Sequence, residues 1–397
     1  MTEKTIPAGM SENRHEPIGT IPEAIDDLKA GKFIILIDDA ERENEGDLVL
    51  PAELITPELI NFYETTVRGW ICVPMAPSVA DHLELSLMVD RNTERHCTAF
   101  TITVDAAHGT TTGISAADQA LTIKKLADPN SQPSDFLRPG HIRPIRARAG
   151  GVLERAGHTE AVVDLMKMAG YAQVGVICEI KNRDGSMARL PDLIEYARQY
   201  GFNIYTIEDL IAYRLLSERL IKRTVEAMIK TRWGDFHAIG YESVVRDEEH
   251  LALVYGDPAR LASSSDPVLV RVHHSHVLCD LFAARENQSC DHIDSAMRKI
   301  AANGSGVFVY IRSRLRGKRM LAELEEMACG DKSVIHGQWR EIPPEHQMRD
   351  YGLGAQIIKD LGLKKITVLT DHPKEPVGMA GYGIEIVGNL PLSGSDC

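Results

Sequence analysis

The sequence lacks an apolar run long enough to cross a bilayer, and it lacks an excess of basic residues. The first absence argues against membrane insertion. The formal net charge of −13 argues against a general nucleic-acid binder, because phosphate backbones select basic surfaces. Two basic segments, residues 143–148 and 312–319, depart from the acidic trend, but neither carries interleaved aromatic residues for base stacking. We therefore expect neither a membrane nor a nucleic acid as a partner.

Cysteine is also scarce, with seven residues scattered along the chain. An odd, dispersed set of thiols does not suit a disulfide framework and fits the reducing cytoplasm. Residues 1–16 are polar and contain no apolar signal region, so we expect a flexible leader rather than an export signal. These observations predict a cytoplasmic protein.

What the sequence does contain is an alternation of strand-like and helix-like segments, typical of mixed α/β (α+β) domains. We predict strands at residues 33–37, 70–73, 99–104, 174–179 and 203–206, and further along at 251–254, 268–272, 307–311, 366–369 and 384–387. Clear helices are expected at 159–169, with Thr159 as the N-cap and Gly170 at the end, and at 293–302. A length of 397 residues suits two or three domains. We divide the chain into 17–217 and 218–397.

The most informative segment follows the apolar run 33–37, where six carboxylates occur within residues 38–47. Ionised together, they repel one another unless a cation lies among them. Carboxylate oxygens suit Mg²⁺, which commonly takes one or two of them and keeps its other positions for water or substrate. Gly46 would allow a tight turn. The alternative is a solvated acidic turn with no ligand.

A second motif lies at residues 155–160, where Arg155, Gly157 and Thr159 stand at the start of the predicted helix. Helix N-termini present free N–H groups, and an arginine adds charge-assisted bonds, so this arrangement suits a phosphate. His158 in the same turn could ligate a metal. The alternative is an ordinary capped helix with a surface arginine. Likewise, His141 and Glu179 stand where apolar runs end, and each taken alone is explained as well by a structural role.

Four motifs, at residues 38–47, 112–116, 138–141 and 157–161, together resemble the 3,4-dihydroxy-2-butanone 4-phosphate synthase family in order and spacing. The resemblance covers about residues 17–214 and implies conversion of the sugar phosphate ribulose 5-phosphate to 3,4-dihydroxy-2-butanone 4-phosphate and formate, in riboflavin biosynthesis. It implies that Glu43 and His158 bind Mg²⁺, with Mn²⁺ as an alternative. The substrate-binding positions implied are Arg42, Glu43, Asp47, Arg155, Gly157, His158, Thr159 and Glu179, and the catalytic positions are His141 and Glu179. Gln119 and Arg143 depart from the family pattern.

The second half, about residues 223–391, resembles GTP cyclohydrolase II, but its zinc ligands are replaced. The three cysteines of that family align with His276, Asn287 and Ser289. Asparagine and neutral serine are poor zinc ligands, so zinc is not expected. The sequence also has Arg314, Leu315, Gln347 and Glu375 at positions where the family has an acid, a glycine, a proton-accepting Asp and a lysine. We expect a domain that folds without the cyclohydrolase reaction.

Two alternatives stay open for this half. A relocated metal site could use His274, His276, Cys279, Cys290 or His292, which would make the protein bifunctional. Alternatively, the domain could bind a nucleotide, a flavin or a partner protein and adjust the synthase. Both resembled families form homodimers, which implies a homodimer here.

Overall fold

The computed structural model describes residues 17–40, 42–275, 277–282, 292–312, 344–371 and 379–392. The chain divides into two compact units, Met1–Tyr213 and Arg214–Cys397. The sequence-based division near residue 218 stays a prediction. No helix in the described ranges combines the length and hydropathy needed to span a bilayer.

The helices and strands alternate along both units. The helices are α1 (Ile21–Lys29), α2 (Pro57–Phe62), α3 (Pro77–His82), α4 (Ala116–Ala127), α5 (His158–Ala169), α6 (Leu190–Tyr200), α7 (Ile207–Ser217), α8 (Pro258–Ser263), α9 (Val277–Phe282), α10 (His292–Ala302) and α11 (Pro344–Asp360). The strands are β1 (Ile34–Ile37), β2 (Gly46–Pro51), β3 (Val73–Met75), β4 (Val104–Ala106), β5 (Phe136–Ile142), β6 (Pro144–Arg146), β7 (Gly175–Glu179), β8 (Asn203–Thr206), β9 (Ile221–Thr231), β10 (Gly234–Ser243), β11 (Glu249–Tyr255), β12 (Val268–His274), β13 (Gly306–Ile311), β14 (Lys365–Leu369) and β15 (Glu385–Leu390). The mixed α/β prediction is confirmed.

The first unit is built on a four-stranded sheet with the order β7-β2-β1-β8. β2 is antiparallel to both β1 and β7, while β8 is parallel to β1. Strands β1 and β2 are buried along nearly their whole length, as expected for central strands covered on both faces. Two small pairs, β3 with β6 and β4 with β5, complete the strand pairing described in this unit.

The second unit contains a seven-stranded sheet with the order β15-β14-β12-β13-β11-β10-β9. The half from β9 to β13 pairs antiparallel, and the half from β13 to β15 pairs parallel. Helix α10 packs Ala296, Met297 and Ile300 into the core beside Phe308. The buried residues of this helix therefore share one face, at helical spacing.

Four local predictions need correction. Of the predicted strand at 70–73, only Val73 lies within a strand, β3. Gly157, not Thr159, is the N-cap of α5, so Thr159 lies within the first turn. The segment 99–104 pairs as a continuous strand only from Val104, because the preceding residues make isolated bridges. Gly46 begins β2 and makes no turn; a Cβ there would lie 2.5 Å from Leu193 Cδ1, so close packing explains the glycine. The left-handed turn position is taken by Asn44, with φ of 55°.

Candidate metal and sugar-phosphate site

One end of the first sheet gathers the acidic residues. Leu36 pairs with Asp47 across β1 and β2, and Asp47 pairs with Glu179 across β2 and β7. Because β2 runs antiparallel to both neighbours, its first residues lie beside the last residues of β1 and β7. Asp38 follows β1 directly and faces the same end. The tertiary structure thus brings Glu179 beside the acidic segment although more than a hundred residues separate them.

Asp38 organises the loop between β1 and β2. Its Oδ2 accepts hydrogen bonds from Arg42 Nη1 at 2.9 Å and from the backbone N–H of Glu43 at 3.0 Å. Its Oδ1 accepts from the N–H of Glu45 at 2.9 Å. The loop is therefore a defined structure held by a buried carboxylate, which the solvated-turn alternative does not predict.

One carboxylate oxygen of Glu43 faces one ring nitrogen of His158. Glu43 Oε1 pairs with Arg42 Nη2 at 2.9 Å, whereas its Oε2 lies 3.6 Å from His158 Nδ1. His158 Nε2 lies 3.2 Å from the carbonyl oxygen of Leu36; a proton on Nε2 donates there and leaves the Nδ1 lone pair facing Glu43. Two ligands about 2.1 Å from one octahedral ion lie roughly 3.0 Å apart if adjacent and 4.2 Å if opposite. The observed separation of 3.6 Å matches neither value, so the two atoms face one another and would have to approach by roughly 0.6 Å to bind one Mg²⁺ at adjacent positions.

Asp38, Glu43 and His158 also form a group whose potential ligand atoms all lie within 4.8 Å of one another. The three contacts of Asp38 to Arg42 and to the loop backbone occupy its oxygens, so we assign it to positioning the loop. The first-choice ligands are the two residues whose facing atoms have no competing cation, Glu43 and His158. The sequence signal for Asp38 was its place at the end of a strand, which does not distinguish a ligand from a loop anchor.

The electrostatics of this cluster favour a cation. Burial raises the pKa of Glu43, but the His158 hydrogen bond and the Arg42 charge outweigh it and hold that pKa at about 2. Burial, reinforced by Glu179, Glu43 and Glu45 against the opposing His158 charge, raises the pKa of Asp47 to about 7. Burial lowers the pKa of His158, but Asp47, Glu43 and Asp38 raise it to about 9. Without a metal, the extra proton on His158 therefore supplies positive charge to this acidic cluster, as a bound cation would.

The start of α5 carries two guanidinium groups. A Cβ on Gly157 would lie 2.3 Å from Arg155 Nη1 and 3.0 Å from Arg42 Nη2, so both arginines border this residue. Arg155 donates to Glu160 at 2.7 Å, to the His96 carbonyl at 3.1 Å and to Thr98 Oγ1 at 3.0 Å. Two cations beside the unpaired N–H groups of a helix N-terminus suit a phosphate. The sequence did not reveal Glu160, His96 or Thr98 as partners of Arg155.

Glu179 is held by backbone contacts. Its Oε2 accepts from the N–H of Trp70 at 2.7 Å, and a Cβ on Gly69 would lie 2.1 Å from its carbonyl oxygen. Only glycine permits that approach. Glu179 therefore has a fixed orientation at the end of β7, beside Asp47.

His141 lies on β5, outside the four-stranded sheet. Within the described residues, its backbone N–H and its ring Nδ1 both contact the Asp105 carboxylate. The structure thus brings together Arg42, Glu43, Asp47, Arg155, Gly157, His158, Thr159 and Glu179 through shared contacts and strand pairing, and it pairs His141 with Asp105 of β4.

The two departures from the family pattern make contacts of their own. Gln119 Nε2 donates to Glu64 Oε1 at 2.6 Å and to the Ile114 carbonyl at 2.9 Å. Arg143 lies 4.3 Å from the ring centroid of Trp70, a cation–π distance. Both substitutions are accommodated within the packing of the first unit.

The second unit retains a polar network at the end of β12. His273 Nε2 lies 2.9 Å from Asp280 Oδ1, and Tyr310 donates to Asp280 Oδ2 at 2.9 Å. Asp280 of α9 therefore links β12 and β13 through its two carboxylate oxygens. His276, Asn287, Ser289, Arg314, Leu315 and Glu375, and the side chain of Gln347, lie outside the described residues.

Proton and metal competition at His158 gives a testable pH dependence. Because folding raises its pKa from 6.5 to about 9, protonated His158 stabilises the metal-free fold fully below pH 6.5, and this contribution is lost as pH rises through 9. We expect the unfolding free energy of metal-free protein to fall across that window. Mg²⁺ should stabilise the fold increasingly over the same range, since ligation needs unprotonated Nδ1.

Urea unfolding at several pH values, with EDTA or Mg²⁺, measures both trends. His158→Gln is the control, because it removes the titrating group and should flatten them. A metal-free wild type that gains stability between pH 6.5 and 9 relative to this variant would contradict the expectation.

Comparisons with known proteins match the two halves of the chain to two different families. Residues 22–213 match the 3,4-dihydroxy-2-butanone 4-phosphate synthase family, and residues 222–391 match GTP cyclohydrolase II. A riboflavin biosynthesis protein RibBA of Bacillus cereus is 47% identical over 375 residues, covering 94% of this chain and 93% of the relative. RibBA of Bacillus cytotoxicus gives the same values. Among solved structures, RibBX, a two domain 3,4-dihydroxy-2-butanone 4-phosphate synthase from A. baumannii, is 35% identical with a TM-score of 0.75, covering 94% of this chain and 99% of that one.

The fold and the first site define a two-domain protein of riboflavin biosynthesis. The chain belongs to the RibBA family, in which a 3,4-dihydroxy-2-butanone 4-phosphate synthase domain precedes a GTP cyclohydrolase II domain.

Proposed function

We propose that the first domain converts ribulose 5-phosphate to 3,4-dihydroxy-2-butanone 4-phosphate and formate with bound Mg²⁺. The observation that carries this proposal is the facing pair Glu43 Oε2 and His158 Nδ1, 3.6 Å apart. The loop that carries Glu43 also brings Arg42 to the start of α5. A sugar phosphate needs both features, a hard cation for its oxygens and an anion site for its phosphate.

The residues divide the work by their chemistry. Glu43 and His158 hold the metal, which when bound polarises substrate oxygens and stabilises developing negative charge. Arg42, Arg155, Gly157 and Thr159 hold the phosphate at the helix N-terminus, which fixes a flexible chain in one orientation. Asp47, with its pKa raised to about 7, can exchange protons near neutrality. Glu179, fixed by Trp70, contacts the substrate from β7 and serves with His141 in proton transfer. The two products contain all the atoms of the substrate, so no external oxidant enters the balance.

An assay of purified protein with ribulose 5-phosphate tests this proposal. We expect formate and the butanone phosphate in equal amounts with Mg²⁺, weaker or equal turnover with Mn²⁺, and no turnover with EDTA. Absence of both products under all metal conditions would refute the function.

We also propose that the second domain has lost cyclohydrolase activity and acts as a structural or regulatory module. The support is chemical, because replacement of three thiolates by His276, Asn287 and Ser289 removes the ligands that anchor zinc. The similar proteins favour two different functions for the second domain. RibBX is described as a synthase of two domains, whereas the RibBA relatives and the cyclohydrolase II match favour a second, bifunctional candidate that retains GTP chemistry through a relocated metal site.

Metal analysis and a GTP assay decide between these candidates. We expect a zinc content of less than about one ion per ten chains, which is on the order of the background of a zinc-free protein. The same preparation should convert ribulose 5-phosphate and release no formate from GTP. Near-stoichiometric zinc with formate release from GTP would establish the bifunctional candidate instead.

A regulatory module, binding a nucleotide, a flavin or a partner protein, is tested by truncation after residue 217. Altered synthase kinetics or assembly in the truncated protein would support it, and unchanged kinetics and assembly would count against it. We further propose that the protein is cytoplasmic and forms a homodimer. Light scattering of the full chain measures the molar mass and so checks the dimer.

A further inference from the structure

A short segment before β3 holds the carboxylate of Glu179. The backbone N–H of Trp70 donates to Glu179 Oε2 at 2.7 Å, and a Cβ on the preceding Gly69 would also lie 2.7 Å from that oxygen. Residues 69–71 belong to neither a helix nor a strand. Contacts from elsewhere in the unit must therefore fix the position of the Trp70 N–H.

Arg143 supplies contacts of this kind. Its guanidinium carbon lies 4.3 Å from the ring centroid of Trp70, which is a cation–π distance. Its Nη1 donates to the carbonyl oxygen of Ile71 at 3.2 Å, and its own carbonyl oxygen accepts the N–H of Val73 at 2.9 Å. Residue 143 thus contacts a ring, a carbonyl and an N–H group within the four residues that begin at Trp70.

Arg143 is a firmer support than the residue it stacks on. It stands between the end of β5 at Ile142 and the start of β6 at Pro144, and both of these neighbours are buried. Trp70, in contrast, is 54% exposed. Because a half-exposed indole gains only part of the burial energy of a core side chain, stacking on the guanidinium contributes a large share of what holds it.

We propose that Arg143 is a positioning residue that sets the orientation of the Glu179 carboxylate through Trp70. This inference rests on the proposed synthase function, in which Glu179 contacts the substrate and moves protons. The contacts run from the Arg143 guanidinium to the indole of Trp70, and from the backbone of Trp70 to Glu179 Oε2. A group displaced by about 1 Å from its reacting atoms can lose about 100-fold in rate. Arg143 departs from the family pattern, so a family role does not account for it.

Kinetics of the full-length protein test the effect on turnover. Arg143→Met keeps the length of the side chain but removes its charge and its planar donor group. We expect kcat for ribulose 5-phosphate to fall by about 10-fold to 100-fold, with KM changed less than about threefold, because the metal and phosphate contacts still hold the substrate. Trp70→Leu should give a similar loss. The double variant should lose no more than either single variant, since both changes break one series of contacts.

NMR of protein labelled with ¹⁵N-tryptophan reports the contact itself. The chain has three tryptophans, and Trp70→Leu identifies the Trp70 amide signal by its loss. An amide proton bonded to a carboxylate resonates downfield. We expect the Trp70 signal to move upfield in Arg143→Met as the bond to Glu179 lengthens, and in Glu179→Gln because a neutral acceptor is weaker. Arg146→Met, which breaks an ion pair with Asp81, should change neither kcat nor this signal.

Each outcome decides the role of Arg143. Unchanged kcat in Arg143→Met, or losses that multiply in the double variant, would overturn the proposal. A lower kcat with an unmoved Trp70 signal would also overturn it, because the loss would then arise elsewhere. If wild type does not convert ribulose 5-phosphate, the proposed function fails, while the amide shift still decides whether Arg143 holds Trp70 against Glu179. If Arg143→Met does not fold, Arg143→Lys, which keeps the charge but lacks the planar face, should show the same two changes to a smaller extent.

Discussion

Glu43→Gln is expected to lower the turnover of ribulose 5-phosphate by about 1,000-fold or more, because the amide oxygen is a neutral and weaker ligand than the carboxylate. A factor of 1,000 corresponds to about 4 kcal/mol of transition-state stabilisation, within the range expected for a metal-polarised oxygen. In the same variant, Mg²⁺ should no longer raise the melting temperature. Steady-state kinetics and thermal melts with Mg²⁺ or EDTA measure both effects.

Two companion variants make this prediction specific. Glu58→Gln removes a solvent-exposed carboxylate of α2 and should leave turnover and metal response unchanged. Glu43→Asp keeps the charge but withdraws the oxygen by one methylene, so an intermediate loss is expected. Because Arg42 and His158 stabilise the Glu43 carboxylate, the Glu43→Gln variant should unfold at a lower temperature than wild type without metal. The kinetic assay is therefore run well below the melting temperature of the variant. Turnover of Glu43→Gln within tenfold of wild type would exclude Glu43 as a metal ligand.

Arg155→Met is expected to lower kcat/KM for ribulose 5-phosphate by about 100-fold to 1,000-fold, as loss of one or two charge-assisted hydrogen bonds implies. Ribulose without phosphate should be turned over equally slowly by wild type and variant, because Arg155 has nothing to bind there. Inhibition by inorganic phosphate should weaken in parallel. Kinetics with the two substrates and phosphate titrations measure these differences.

The stability of this variant needs separate control. Arg155 pairs with Glu160, whose side chain is 2% exposed, so its removal leaves a buried carboxylate at a cost of about 3–5 kcal/mol. The double variant Arg155→Met with Glu160→Gln removes that charge and should recover stability but not phosphate affinity. Arg146→Met breaks a more exposed pair with Asp81 and should cost at most about 1 kcal/mol. Equal loss of activity toward both substrates in the double variant would contradict a phosphate role.

The strands were predictable where they are short apolar runs. Residues 203–206 match β8, and the predicted segments at 268–272 and 307–311 lie within β12 and β13. β2 was missed because its first residues, Gly46 and Asp47, belong to an acidic segment that reads as a loop. The helix at 159–169 was found from its apolar spacing, but its cap was misplaced by two residues, since Thr159 and Gly157 both suit that position and only backbone geometry separates them.

The sequence motifs predicted part of the candidate site. Glu43 and His158 follow from the family resemblance, and the structure then shows why they suit a metal, because Asp38 and the Leu36 carbonyl orient them. Asp105 gave no signal, since an acid next to a strand has many ordinary roles. Its contacts with His141 depend on the pairing of β4 with β5, which joins residues far apart in sequence.

The sequence by itself determined the class of protein, since four spaced motifs identified the synthase domain. It also predicts that the second domain lacks the usual zinc thiolates, because that inference uses residue identity alone. Only the tertiary structure decided which carboxylates are loop anchors, which face an open ligand position, and which nitrogen of each histidine is available. Those choices depend on distances and burial, and strand register sets both by bringing together side chains that the chain keeps apart.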